Sequence, residues 1–260
     1  MRDFIKMFFV TSILLLSSIA IAEEESELTV VPGIDLAFKQ SSLNTVMKGQ
    51  PEEGSLRPVY TTVIPSLLLS YGKFYSALSY DTPLTEYHEV LKQQKSADFV
   101  YSDRSYLRQE ATFTLGYRVL PVLSIFGGAI RGETKVRVVD SRYDGTTVKV
   151  EPNDISFVTR GYFLGLSTSR NFEGKGALSL SAAYTLLSGE LVRGDFKGVE
   201  ETFQSNSANG YSTSLSWTGQ MSDSVIYQIG YRYAKYYYDF GIIQIVEPVQ
   251  GLTFGLRKYF

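Results

Sequence analysis

The chain predicts an all-β fold: an antiparallel up-and-down transmembrane β-barrel of about ten strands behind a cleaved leader. Three features carry this reading. The N-terminus has the make-up of an export leader, the rest alternates apolar and polar residues in segments of ~10 residues, and the links between segments are by turns short and long.

The leader is read first. Arg2 and Lys6 give a positive start, Met7 to Ile19 is mostly apolar, and Ala20-Ile21-Ala22 offers the small residues a signal peptidase requires. Cleavage is expected after Ala22, with residues 1–22 as signal peptide and 23–260 as one barrel domain. A membrane-spanning helix needs ~20 apolar residues, and this stretch is shorter and broken by Thr11, Ser12, Ser17 and Ser18. The chain has no cysteine, which excludes a lipid-modified N-terminal cysteine, a disulfide framework and thiolate metal sites. The formal charge of -2 becomes -3 once Arg2, Asp3 and Lys6 leave, too near neutral to suggest nucleic acid. A mean hydropathy of -0.04 fits a barrel whose apolar residues face lipid, and its 19 tyrosines suit aromatic girdles at the interfaces.

The segments follow in order. Leu28, Val30, Ile34, Leu36 and Phe38 oppose Thr29, Gly33, Asp35, Ala37 and Lys39. Val59 to Tyr71 and Phe74 to Tyr80 follow. Leu107, Ala111, Phe113, Leu115 and Tyr117 then oppose Arg108, Glu110, Thr112, Thr114 and Arg118. Ile130, Val136 and Val138 oppose Arg131, Glu133, Lys135 and Arg137. Four more segments lie at Tyr162 to Ser167, Leu178 to Leu186, Tyr211 to Thr218 and Val225 to Ala234, and the last begins near Val249. Arg160 falls on an oily parity and marks a bulge or the segment's outer end. Short links at Gly72-Lys73, Pro121-Val122, Asn171 to Gly176 and Gln220 to Ser224 alternate with long polar ones at Ser41 to Leu56, Asp81 to Asp103, Asp140 to Asp154 and Gly189 to Ser207. Short turns on one side and long external loops on the other suit a membrane barrel, whereas a soluble sandwich has no reason to sort its links this way.

The C-terminal run Leu252-Thr253-Phe254-Gly255-Leu256-Arg257-Lys258-Tyr259-Phe260 places Leu252, Phe254, Leu256 and Phe260 on one face and stops on an aromatic. In this it resembles the Gram-negative outer-membrane β-barrel superfamily. That resemblance implies residence in the outer membrane, contact with outer-membrane lipid and lipopolysaccharide, and insertion by the barrel-assembly machinery. Phe254, Leu256, Tyr259 and Phe260 are the matching assembly signal. Lys258 breaks the oily series and is expected to snorkel.

Charge marks the candidate site. Arg108, Glu110 and Arg118, then Arg131, Glu133, Lys135 and Arg137, with Arg232 further round, are all expected to face the lumen. Clustered guanidiniums suit a narrow conduit for small anionic solutes. Side chains pairing across a narrow lumen suit a structural network instead, which is the preferred reading.

No catalytic, cofactor-binding or metal residue is assigned. The chain resembles the ten-stranded outer-membrane aspartyl-type proteases in size, but it has no Asp-x-His and no Asp-x-Asp. Its lone histidine, His88, sits in Glu86-Tyr87-His88-Glu89 on an expected loop. Asp140 to Gly145 lacks the spacing of a calcium loop, and Gly174-Lys175-Gly176 reads as a turn. Tyr236-Tyr237-Tyr238 is placed in the outer aromatic girdle. Val63 to Tyr75 loosely resembles an early hairpin of barrels that scaffold murein transglycosylases. The expected function is structural or surface-interactive, with a narrow solute channel second and a rim enzyme or murein-enzyme scaffold behind.

Overall fold

In the computed structural model, described for residues 27–47, 55–95, 98–143, 148–194, 200–241 and 243–260, every element is a strand. The expected leader and its cleavage site lie outside the described residues. The strands are β1 (Thr29–Ser41), β2 (Leu43–Met47), β3 (Ser55–Leu56), β4 (Val59–Tyr71), β5 (Phe74–Pro83), β6 (Tyr87–Lys95) and β7 (Asp98–Leu120). They continue as β8 (Leu123–Tyr143), β9 (Val148–Phe172), β10 (Gly176–Gly194), β11 (Glu200–Gln204), β12 (Ser207–Ser222), β13 (Val225–Asp239) and β14 (Ile243–Lys258).

Breaks at Ser42, Arg57-Pro58, the residues before Tyr87, and Ser205-Asn206 divide what are otherwise single staves. The result is a closed antiparallel barrel of ten staves, as expected. Closure comes from β1 on β14, in register from Gly33↔Arg257 to Ser41↔Val249. The short links predicted from the sequence are the tight turns at one end, and Gly174, at φ 67°, takes the left-handed conformation its turn needs.

The long links are a correction. Much of what the sequence suggests as external loop is strand, because β7, β8, β9 and β10 run 23, 21, 25 and 19 residues. A tilted strand crosses hydrocarbon in about 9–11 residues, so the barrel wall stands well clear of the membrane. Two solvents therefore meet its outside. Near the turn end the outward row Leu78↔Phe113↔Ala129↔Tyr162↔Leu186 is apolar, and Ile34, Leu36, Phe38, Leu252, Phe254 and Leu256 continue this exposed belt. One step further out the row reads Tyr80↔Ala111↔Arg131↔Arg160↔Ser188.

That step overturns half of the expected lumen set. Arg131, Glu133, Lys135 and Arg137 stand on the outer face, while Ile130, Thr134 and Val136, on the alternate positions, are buried inside. The parity rule that oily residues face out holds only inside the belt. Above it water lies outside, and the oily parity turns inward. Tyr236 and Tyr238 obey the same reversal: both are buried in the upper lumen beside Phe157 and Phe240 instead of forming a girdle.

The lumen is filled in layers. Val31, Leu68, Tyr75, Phe126, Ile130 and Phe163 pack at the turn end, an ionic layer lies at mid-height, and aromatic clusters around Tyr238 and Tyr106 occupy the top. Tight contacts across the wall demand small residues. A Cβ on Gly128 would fall 1.9 Å from the Phe113 carbonyl oxygen, whereas one on Gly194 would meet nothing closer than 3.8 Å. Gly128→Val is expected to cost at least about 1–3 kcal/mol, as overpacking does. Gly194→Ala should cost little. Urea midpoints of the refolded barrels, read by heat-modified gel mobility, measure both.

Candidate functional site

β7 presents Arg108 and Glu110 from adjacent inward positions, β13 adds Arg232, and the outer half of β14 adds Glu247. Arg108 donates from Nη1 to Glu247 Oε2 at 2.6 Å and to Thr134 Oγ1 at 3.1 Å, and from Nη2 to Glu110 Oε2 at 2.9 Å. Arg232 Nη2 donates to the other Glu110 oxygen at 3.1 Å. Lys39 and Asp81 pair alongside. The Tyr106 hydroxyl donates to Glu247 Oε1 at 3.4 Å and shares a 3.1 Å bond with Ser41, and the Tyr236 ring lies 5.6 Å from the Arg108 guanidinium.

The cations Arg108, Arg232 and Lys39 thus face the carboxylates Glu110, Glu247 and Asp81, and their charges cancel. Neutrality is required here: an unpaired ion withdrawn from water costs several kcal/mol, and Glu247 is 0% exposed. A cavity of about 30 Å³ remains among Lys39, Arg108, Glu110 and Arg232, enough for a water or two. Nearer the turn end Arg257 Nη2 donates to both carboxylate oxygens of Asp35 at 3.0 Å, across the closing seam.

Of the residues expected to line the lumen, the structure brings Arg108, Glu110 and Arg232 together and leaves Arg118 on the same inward parity near the turn end, half-buried. It adds Lys39, Asp81, Glu247, Asp35 and Arg257, which sequence reasoning did not assign to the network. Asp35 and Lys39 had shown themselves on the polar parity of β1. Glu247 was hidden because it precedes Val249, where the last segment begins on the sequence reading, and its pairing with Tyr236 places it on a strand.

The outer charges form a second group. Arg131 and Arg160 are directly opposite one another, both exposed, and neither has an ion pair among the described residues. Lys135 pairs with Glu133 at 3.0 Å and Arg137 with Asp154 at 3.5 Å. His88 is exposed on β6, with Glu86 Oε2 3.5 Å from its Nε2. A hollow of about 690 Å³ lies toward the turn end, where small Ser76 and Gly127 stand among Leu69, Phe74, Leu115 and Leu164. Its outward-facing lining belongs to the oily belt.

At the chain end, Phe254, Leu256 and Phe260 of the expected assembly signal face outward from the belt, and Tyr259 turns to pack under the lower luminal cluster. Lys258 sits 4.7 Å from the Phe260 ring, its ammonium at the belt's edge.

No protein-family model and no curated protein matches the sequence. Solved structures do. The outer-membrane protease OmpT of Escherichia coli superposes with a TM-score of 0.66 at 13% identity, over 93% of this chain and 100% of that one. The translocator domain of the autotransporter NalP from Neisseria meningitidis matches at TM-score 0.45 and 13% identity, over 93% and 91%. Neisserial surface protein A matches at 0.37 and 14%, over 89% and 97%. At such identity the likeness to OmpT shows the fold.

Removing one partner of the ionic layer exposes its cost. Glu247→Ala, which leaves Arg108 short of a counter-ion, is expected to destabilise the barrel by about 3–5 kcal/mol. Adding Arg108→Met should recover much of the loss, since Glu110 keeps Arg232. Denaturant midpoints of the single and double variants check this.

Proposed function

We propose that this chain, an outer-membrane β-barrel by fold, is a structural and surface-interaction protein of the Gram-negative outer membrane that works through its exterior and does not conduct solutes. The observation that carries the reading is the filled lumen: among the described residues, apolar side chains lie below, a neutral ionic layer at mid-height and aromatic clusters above, and the cavity within the ionic layer measures about 30 Å³. A conduit for small anions needs uncompensated cations along an open path, and here the luminal cations at mid-height are paired.

The outer face supplies the interaction. Two guanidiniums directly opposite on neighbouring strands repel one another, and such pairs are unfavourable unless an anion lies between them. Arg131 and Arg160 stand one row beyond the belt, the level that this reading gives to lipid headgroups. Phosphate accepts bidentate hydrogen bonds from arginine, so the phosphates of lipopolysaccharide suit this pair, with Tyr162 below it among the acyl chains. Insertion by the barrel-assembly machinery through β14 and the terminal Phe260 belongs to the same proposal.

Planar-bilayer recordings of the purified barrel are expected to show no discrete conductance steps, and stepwise conductance would refute the closed-lumen reading. Replacing Arg131 and Arg160 together by glutamate should reduce lipopolysaccharide retained through purification, each lost charge-assisted contact being worth about 1.5–3 kcal/mol. Retention equal to the unaltered protein counts against the headgroup contact.

A further inference from the structure

We propose that a hollow on the opposite wall, at the closing seam, binds the phosphorylated saccharide of an outer-leaflet glycolipid. This rests on the reading that the outer face meets the outer leaflet, and adds a built site to it.

The hollow measures about 250 Å³ and is lined by Gln40, Ser42, Arg57, Tyr233, Pro248 and Gln250. Its origin is local. The stave of β1 and β2 breaks at Ser42 and the neighbouring stave of β3 and β4 breaks at Arg57-Pro58, so two adjacent strands interrupt their pleat side by side. Ser41 and Ser42 donate their backbone N–H groups to the carbonyls of Pro58 and Pro248, which holds the breaks in place.

Its height follows from the register. Gln40 opposes Gln250 and Gln250 opposes Tyr233, each two residues beyond a belt residue: Phe38, Leu252 and Tyr231. The floor of the hollow is therefore the upper edge of the hydrocarbon belt.

Hydrogen-bond polarity selects the ligand. The Tyr231 hydroxyl donates to Gln250 Oε1 at 3.0 Å, and Gln250 Nε2 donates to Gln40 Oε1 at 2.9 Å. Each amide oxygen already accepts one bond, while the Gln40 amide N–H groups and one on Gln250 are left to give. Arg57 is exposed and has no ion pair among the described residues, and among those residues no carboxylate lines the hollow; Lys235, opposite Pro248 at its edge, holds its ammonium 5.0 Å from the Tyr237 ring. Such a site donates and carries positive charge, so it takes an acceptor-rich anion. The Tyr233 ring, 6.1 Å from Tyr211, offers the apolar surface on which a sugar ring lies, and the guanidinium of Arg57 matches a phosphate. Phosphate, hydroxyls and a pyranose face together describe a phosphosaccharide, and the position at the belt's edge makes it lipid-linked.

The test uses the mature barrel in phosphatidylcholine nanodiscs, titrated with lipopolysaccharide, with its enzymatically dephosphorylated form and with free glucose 1-phosphate. Arg57→Gln and Tyr233→Ala are each expected to weaken lipopolysaccharide binding by about tenfold or more. Dephosphorylation should cost the unaltered protein a similar factor and Arg57→Gln no further loss. Binding by Arg57→Gln within about twofold of the unaltered protein overturns the inference, as does glucose 1-phosphate binding as tightly as the glycolipid. If Arg57→Gln fails to fold by heat-modified mobility, Gln40→Ala removes the free amide donors and is held to the same threshold. The double Arg131 and Arg160 variant separates the two readings. Loss of binding there with none at Arg57 sinks the seam site alone, and no loss in either sinks both.

Discussion

A sheet immersed in hydrocarbon has no water to satisfy its backbone, so every N–H and C=O at that depth must find a strand partner. The pairing of β1 with β14 meets that demand and makes a barrel out of what would be a sheet with two open edges. The chemistry on either side of this seam serves closure. Outside, the Phe38 and Phe254 rings meet edge-on with centroids 6.3 Å apart. Inside, Asp35 and Arg257 pair across it, close enough that a Cβ on Gly255 would lie 1.7 Å from the Asp35 carboxylate. Oil on the outer face and an ion pair on the inner one are what the two environments of the lower wall require.

The barrel is taller than the membrane, so its wall serves two solvents. In the belt the exterior is apolar and inward serines, threonines and glycines alternate with it. Beyond the belt the exterior carries Arg131, Lys135 and Arg137, and the interior carries Phe157, Tyr236, Tyr238 and Phe240. The upper half is thus organised as a soluble protein is, with its core inside the cylinder. Between the two regimes sits the ionic layer, where Arg108, Glu110, Arg232 and Glu247 neutralise one another in place of an aqueous bore.

The filled lumen is the ground for proposing that function lies on the outer surface. What distinguishes this exterior is the band just past the belt, where the Arg131–Arg160 pair and the polar hollow at the seam stand on opposite walls at one height. Both proposed glycolipid contacts fall at this level. The taller upper wall, with β6 and β11 each paired on one side only among the described residues, carries further surface above the lipid.

Much of the architecture was legible in the residues themselves. Alternation of Ile34, Leu36 and Phe38, or of Leu252, Phe254 and Leu256, declares a strand with one oily face, and the tight Gly72-Lys73 and Pro121-Val122 links declare antiparallel neighbours; together they yield ten staves. The luminal places of Arg108, Glu110 and Arg232 followed from the same parity. Arg131 and Arg137 did not, nor did Tyr236 and Tyr238, because a period of two says only that successive residues face opposite sides and never names the medium on each side. Register and height decide that. The sequence by itself determined which residues share a face; only the closed barrel, by setting where hydrocarbon stops and water begins, decided which face is the outside, and it brought Lys39, Asp81 and Glu247 to the arginines from strands far apart in the chain.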